Sequence, residues 1–186
     1  MFTPGAVTAI SQLFENALIE HGRSNPQEEV EVERVAMMDE GTGHLVVLNI
    51  SSYLFRIVAV FEFGTDEASC AHMARLTRSA APRLEGQALH DACSELVNMI
   101  CGAVNRNLCT GFRHVGMSTP FVLERNCRDY LSGINPDGIV SFTATVNRDM
   151  QFGLTLCFCA DRTAQVDFVL PRVMEVVADA GELELF

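Results

Sequence analysis

The sequence predicts an α/β (α+β) fold, an antiparallel sheet flanked by helices, in a single domain that spans residues 1–186. Segments with apolar residues at helical spacing are separated by segments rich in β-branched and aromatic residues. The same order, a helix followed by an antiparallel run, occurs twice, in residues 8–63 and 87–161. We therefore expect two similar halves that arose by internal duplication.

The first half is predicted to contain one helix and three strands. Its helix covers 8–21 and ends at Gly22, because apolar residues recur every three or four positions. The first strand starts near Val30, where valines alternate with glutamates in the pattern of a half-exposed strand or a charged sheet edge. A turn at 39–43 precedes the other two strands, at 44–50 and 53–63.

The rest of the chain is predicted to contain two helices, three strands and a C-terminal helix. Asp66 or Thr65 caps a helix over 66–79, and Pro82 separates it from a long helix over 87–108. Pro120 marks an edge or a bend in a strand over 114–124. Residues 127–134 are ambiguous, and 135–138 form a turn. The last elements are strands at 139–146 and 152–159, joined as a hairpin, and a helix at about 171–180.

The composition excludes several classes of function. A net charge of −11 argues against binding to nucleic acid and to anionic membranes. All thirteen basic residues are Arg, so the chain has no lysine for a P-loop, a Schiff base or a kinase-type phosphate contact. Its chemistry must therefore use carboxylates, amides, hydroxyls, thiols, His or Arg, or groups that a partner supplies.

The seven cysteines include no CxxC pair, and we expect no signal peptide and no transmembrane segment. These features predict a cytoplasmic protein in which the cysteines pack as small apolar residues. Cys93 and Cys101 fall towards the apolar side of the long helix, which disfavours a thiol nucleophile. Cys157 and Cys159 share one face of a predicted strand. Packing is favoured there too, with a metal or redox role as the alternative.

The long helix carries one polar stripe. At about 100° per residue its apolar positions share one broad side, and spacings of four, three, four and three bring the polar positions together on the other. Gly102 leaves a notch in this stripe. Glycine costs a helix about 1 kcal/mol relative to alanine, and the close approach of another group would explain its presence. The stripe consists of Asp91, Glu95, Asn98, Gly102 and Asn105.

A polar helix face is most often only a solvated surface, but three features favour a functional surface here. The stripe contains no Arg, so Glu95 has no ionic partner four residues along the helix. Asn98 lies mid-helix although Asn is a mediocre helix former. The notch at Gly102 lies directly beside Asn98. Together these features make the stripe the candidate site.

The pattern Asp91-x-x-x-Glu95-x-x-Asn98, with Pro120 on a following strand, resembles the signature of the CheC/CheX/FliY chemotaxis phosphatases. The segment 94–102 is especially similar to the CheX branch. The resemblance covers residues 8–160 in element order and 87–122 in motif. It implies a CheC-like fold for the whole chain.

The resemblance also implies a reaction, the hydrolysis of the phospho-aspartate of a CheY-like receiver domain. Asn98 would orient the attacking water, and Glu95 would contact an invariant lysine of the partner. Asp91, Gly102 and Asn105 would contribute to partner binding. No cofactor of its own is implied, since the receiver would supply Mg²⁺, and relatives of the CheX type imply a homodimer.

The first helix carries Ser11-x-x-x-Glu15-x-x-Leu18, with Leu at the position of the motif Asn. We therefore expect a single active site, on the second of the two similar helices. The alternative function is a non-catalytic adaptor that binds a receiver or a motor component through the same stripe. A third interpretation is a thiol or metal sensor built on Cys157 and Cys159. The resemblance assigns no role to residues 162–186.

Overall fold

The helices and strands of a computed structural model, which describes residues 1–36 and 43–170, confirm the predicted fold class. The predicted helix at 171–180 and most of the predicted turn at 39–43 lie outside the described residues. The helices are α1 (Pro4–His21), α2 (Glu67–Leu76) and α3 (Gly86–Gly111), and a 3₁₀ helix covers Arg125–Ile134. The strands are β1 (Val30–Val35), β2 (Gly43–Ser51), β3 (Phe55–Gly64), β4 (Gly116–Met117), β5 (Phe121–Glu124), β6 (Gly138–Val146) and β7 (Met150–Ala160).

The seven strands form one antiparallel sheet in the order β1-β6-β7-β3-β2-β4, with β5 also paired to β2. At its centre β3 pairs with β7 from Phe55↔Ala160 to Phe63↔Phe152. On one side of this pair, β2 is next to β3, and both β4 and β5 pair with β2. On the other side, β6 is next to β7, and β1 pairs with β6. The strand order is thus equivalent in the two halves, while an internal duplication stays a prediction.

Helices α1 and α3 pack against each other on one face of the sheet. Thr3 caps α1, since its hydroxyl accepts a hydrogen bond from the Ala6 amide at 3.1 Å. Leu96, Ile100 and Val104 hold α3 on the sheet, and burying such a side chain contributes about 1.5–3 kcal/mol. The opposite side of α3 therefore lies on the surface. In the described ranges, no helix has the length and apolar character that a membrane span requires.

The 3₁₀ helix covers the other face of the sheet, where the sequence was ambiguous over 127–134. Glu62 lies beneath it, almost fully buried, with nitrogens of Arg125 and Arg128 at 3.2 and 3.3 Å from its carboxylate. A buried carboxylate needs such compensation. Leu123, Cys127, Leu131 and Ile134 pack there against Leu45, Val47, Val58, Val60 and Cys157.

The single strand predicted over 114–124 is wrong, because the structure has two short strands, β4 and β5, on the edge of the sheet. The pairs Ile50↔Met117 and Val47↔Phe121 differ in register by one residue, so a bulge lies between them. Pro120 lies in this bulge, where its lack of an amide hydrogen leaves no strand hydrogen bond unmade. The Ser118 hydroxyl accepts a hydrogen bond from the Asn49 amide at 3.1 Å and so satisfies this donor at the bulge.

Residues beyond Arg162 close over the N-terminus, a contact that the sequence did not predict. The Thr3 amide donates to the Val166 carbonyl at 2.9 Å, and the Val166 amide donates to the Met1 carbonyl at 3.0 Å. Phe2 is thereby held in the core, with its ring centroid 5.5 Å from that of Phe55. The segment 162–168 thus has a structural role in the fold.

Candidate functional site

The exposed side of α3 carries the stripe predicted from the sequence. Asp91 and Glu95 are exposed, and Asn98 is half-buried one turn further along. The core side of the helix fixes this orientation, because Cys93, Leu96 and Ile100 lie fully inside the protein. The side chains of Glu95 and Asn98 are three positions apart and therefore neighbours on one helix face.

Glu95 and Asn98 have no intramolecular polar contacts within the part of the chain that the structure describes. Asp91 differs, since its Oδ1 accepts a hydrogen bond from Gln87 Nε2 at 2.7 Å. Glu95 is in no salt bridge and Asn98 in no hydrogen bond among these residues. A carboxylate and a carboxamide are thus presented together, with their hydrogen-bonding capacity unused.

Gly102 does leave a notch beside Asn98, but the notch is not required by packing within the chain. A Cβ placed on Gly102 would lie 3.7 Å from Arg106 Nη1 and 4.0 Å from Met117 Cε, both ordinary contact distances. The expectation that no Arg lies on the stripe is corrected by Arg106, the residue after Asn105. Its guanidinium reaches back one turn and lies beside the notch, so the stripe has a cation at this end.

Asn105 marks the inner end of the stripe. The residue is half-buried, and its Oδ1 is buried without a hydrogen-bond partner among the described residues. The neighbouring Gly102 lies against Met117 of β4. The stripe therefore changes along the helix, from exposed carboxylates at Asp91 and Glu95 to a half-buried amide at Asn105.

The stripe lies on the outer surface of α3, outside the pocket that the described residues form at the start of this helix. The pocket at the start of α3, with a volume of about 240 Å³, is lined by residues such as Cys70, Arg83 and Leu89, and neither Glu95 nor Asn98 lines it. Small-molecule sites are typically concave and largely apolar. An amide and a carboxylate on the outer face of a helix are better suited to contact a protein partner than to enclose a small molecule.

The corresponding residues of α1 do not form a second stripe of this kind. Ser11 and Leu18 are buried in the core, and only Glu15 of the motif-like spacing is partly exposed. Most buried positions of the two helices coincide when Gln12 of α1 is matched to Glu95 and Glu15 to Asn98. By this alignment too, α1 has no Asn at the key position, and the single active site stays a prediction.

Three buried cysteines, Cys93, Cys101 and Cys157, lack the environment of reactive thiols. Cys93 and Cys101 are buried, and burial raises the pKa of the Cys93 thiol to about 12 and that of Cys101 as well. Burial also raises the pKa of Cys157 to about 11. The described residues include no group of three or more His, Cys, Asp or Glu side chains that could hold a metal ion. Packing, as predicted, accounts for these thiols.

Solved structures share this fold at low sequence identity. CheX from Vibrio vulnificus is 18% identical, with a TM-score of 0.57, and the match covers 82% of this chain and 97% of that one. A chain of the CheX–CheY–BeF₃–Mg²⁺ complex from Borrelia burgdorferi is 9% identical, with a TM-score of 0.59 and coverages of 83% and 97%. The predicted CheC-like fold is thereby confirmed.

The fold also occurs in a protein with a different name, FliM. The middle domain of FliM from Vibrio alginolyticus is 10% identical, with a TM-score of 0.51, and the match covers 81% of this chain and 92% of that one. No protein-family model matches the chain, and no curated protein sequence matches it. The fold alone therefore does not distinguish the candidate functions.

Proposed function

We propose that this protein is a member of the CheC/CheX/FliY family and hydrolyses the aspartyl phosphate of a CheY-like response regulator. The observation that carries the proposal is the pair Glu95 and Asn98, which share an exposed face of α3 and have no polar partner among the described residues. The pair has the spacing of the family motif, on a fold shared with a CheX that was solved together with CheY.

In the proposed reaction Asn98 enters the active site of the receiver and orients the water that attacks phosphorus. Its carboxamide can accept a hydrogen bond from water through Oδ1 and donate one through Nδ2. Phosphoryl transfer needs mainly positioning and charge stabilisation, because little covalent chemistry falls to the protein. An acyl phosphate is already labile, so one oriented amide suffices. The phosphorus–oxygen bond to the receiver aspartate breaks as the water oxygen bonds to phosphorus.

The partner supplies the lysine that this chain lacks. With no lysine in the sequence, we assign the lysine contact to the phosphoryl group to the receiver, which also holds Mg²⁺. BeF₃ is a tetrahedral phosphoryl analogue, and it occurs with CheY and Mg²⁺ in the Borrelia complex. Glu95 then forms a charged hydrogen bond to the receiver lysine. Asp91, Gly102 and Asn105 extend the docking surface, and the homodimer stays a prediction.

Glu95→Gln is expected to weaken receiver binding more than it slows the chemical step. The substitution keeps the shape of an exposed side chain but removes its charge, and a hydrogen bond to a charged group is worth about 1.5–3 kcal/mol. The Kd for a BeF₃-activated receiver should rise at least about tenfold, measured by isothermal titration calorimetry. Glu20→Gln, an exposed glutamate of α1, is the matched control, and equal Kd values for the two variants would contradict this role.

Gly102→Ala is expected to separate folding stability from partner binding. The new methyl group fits at contact distance within the chain, so the helix gains about 1 kcal/mol of stability in urea unfolding. If a receiver approaches the notch closely, the same variant binds it more weakly. Gly5→Ala in α1, away from the stripe, is the control for the binding assay. A stabilised Gly102→Ala protein with unchanged receiver affinity would remove the notch from the docking surface.

The second candidate is a non-catalytic adaptor that binds a receiver or a motor component through the same stripe. The observation that favours it is the position of the stripe on the outer surface of α3, outside the neighbouring pocket, where it can bind a partner without enclosing a reacting group. The test adds the wild-type protein to several CheY-like receivers, phosphorylated with acetyl phosphate in the presence of Mg²⁺, and records phosphate release. Accelerated release selects the phosphatase. Binding to a receiver without acceleration selects the adaptor.

A further inference from the structure

His44 and His90 form a pair of imidazoles that the proposed function does not use. His44 lies at the start of β2, and His90 lies in the second turn of α3. Their ring centroids are 4.7 Å apart, with the ring planes at 62°. His44 is 6% exposed, whereas His90 is half-buried. One ring of the pair is therefore buried at the edge of the core, and the other is partly accessible to solvent.

The buried ring of His44 is unsatisfied. Neither of its nitrogens has a hydrogen-bond partner among the described residues, and the neighbouring ring of Phe63, 6.1 Å away between centroids, offers none. A buried polar atom without a partner costs about 1–3 kcal/mol, and native proteins satisfy nearly all such atoms with protein groups, water or an ion. A ligand that binds an imidazole nitrogen would remove this cost.

We propose that His44 and His90 together bind a divalent transition-metal ion such as Zn²⁺, through one nitrogen of each ring, with water in the remaining coordination positions. Zinc–nitrogen bonds are about 2.0–2.1 Å long, so two imidazoles on one ion at a tetrahedral angle have centroids about 5 Å apart. The observed separation is 4.7 Å. Rotation about χ2, which has broad minima in His, turns one nitrogen of each ring towards a common point.

The electrostatic surroundings favour a cation at this position. Burial, with a smaller contribution from His90, lowers the pKa of His44 to about 4, so the ring is neutral near pH 7, as ligation requires. Asp91 follows His90 along α3, and Glu124 lies opposite His44 in the β2–β5 ladder. The described residues supply no third protein ligand at this position, so water would fill the remaining coordination positions. The inference does not rest on the proposed phosphatase activity.

The test follows the imidazole resonances of the tag-free protein by long-range ¹H–¹⁵N NMR at pH 7.5 while ZnCl₂ alone is added. The ring nitrogens of two of the five histidines are expected to shift in a saturable way with one equivalent of Zn²⁺, and EDTA should reverse the shift. The shifting resonances should be those lost in His90→Asn and in His44→Phe. His114→Asn is the matched control, because His114 is exposed with φ of 58°, a conformation that Asn tolerates.

Several results would overturn the proposal. One is a Zn²⁺ titration in which the resonances of His44 and His90 do not move. Another is binding of Zn²⁺ by cysteine thiols alone, with the ring resonances of both histidines unchanged. His90→Asn keeps the inference testable if His44→Phe does not fold, because His90 lies at the surface. Full retention of the Zn²⁺-induced shift of His44 in folded His90→Asn would also contradict a shared ion.

Discussion

Asn98→Ala is expected to lower the acceleration of receiver dephosphorylation on the order of 100-fold while leaving receiver affinity nearly unchanged. The amide makes no intramolecular hydrogen bond among the described residues, so its removal leaves no buried group unsatisfied in the protein. The activity decreases because the attacking water is no longer oriented, and misplacing a reacting group by about 1 Å lowers a rate about 100-fold. The measurement is the decay rate of a ³²P-labelled receiver at saturating concentrations of each variant.

Asn107→Ala is the matched control for this variant. Asn107 lies on the same helix outside the stripe, and its Nδ2 donates to the Ala103 carbonyl at 3.0 Å. Both variants replace one helical Asn with the best helix former, so both should keep or raise the stability of α3. Equal losses of activity in the two would show that the effect comes from the helix and not from the Asn98 amide.

The stability of the fold is expected to decrease by about 3 kcal/mol between pH 6.5 and pH 4, through His44 alone. Burial of the ring lowers its pKa in the folded protein to about 4, below the value of 6.5 in the unfolded chain. In this window the unfolded chain binds a proton that the folded protein does not, so stability falls as the pH falls. His72, whose pKa burial also lowers, adds to the effect.

Urea unfolding of the metal-free protein across this pH range measures the effect. His44→Phe removes the titrating group, so its stability should depend on pH less steeply, by up to about 1.4 kcal/mol per pH unit. His72 remains in that variant and should leave a smaller slope in the same direction. The same slope in wild type and His44→Phe would mean that His44 binds its proton equally well in the folded and unfolded states.

Much of the fold was predictable because the spacing of apolar residues and the residue types in turns are local properties of the sequence. The helical spacing in α1 and α3 and the alternation in β6 and β7 place these elements within a few residues of their observed ends. The 3₁₀ helix could not be assigned, because its contacts are with sheet residues distant in sequence. The packing of 162–168 on the N-terminus joins opposite ends of the chain, and neither periodicity nor composition reports such a contact.

The candidate site was predictable in part, for the same reason. Helical geometry alone places Asp91, Glu95 and Asn98 on one face, and the structure shows that this face is outside the core. The position of the Arg106 guanidinium beside Gly102 depends on side-chain direction, because long side chains on a helix lean towards its N-terminus. That tendency was the available signal for Arg106. The partial burial of Asn105 depends on tertiary packing.

The central claim is that Asn98 provides the catalytic amide for receiver dephosphorylation, and one paired measurement tests it most directly. For one cognate receiver, the dephosphorylation rate at saturation and the Kd for the BeF₃-activated form are determined with wild type and with Asn98→Ala. The account predicts a rate that rises to a plateau with wild type, a plateau near the intrinsic decay rate with Asn98→Ala, and similar Kd values. Tight binding by wild type without any acceleration would contradict it and select the adaptor.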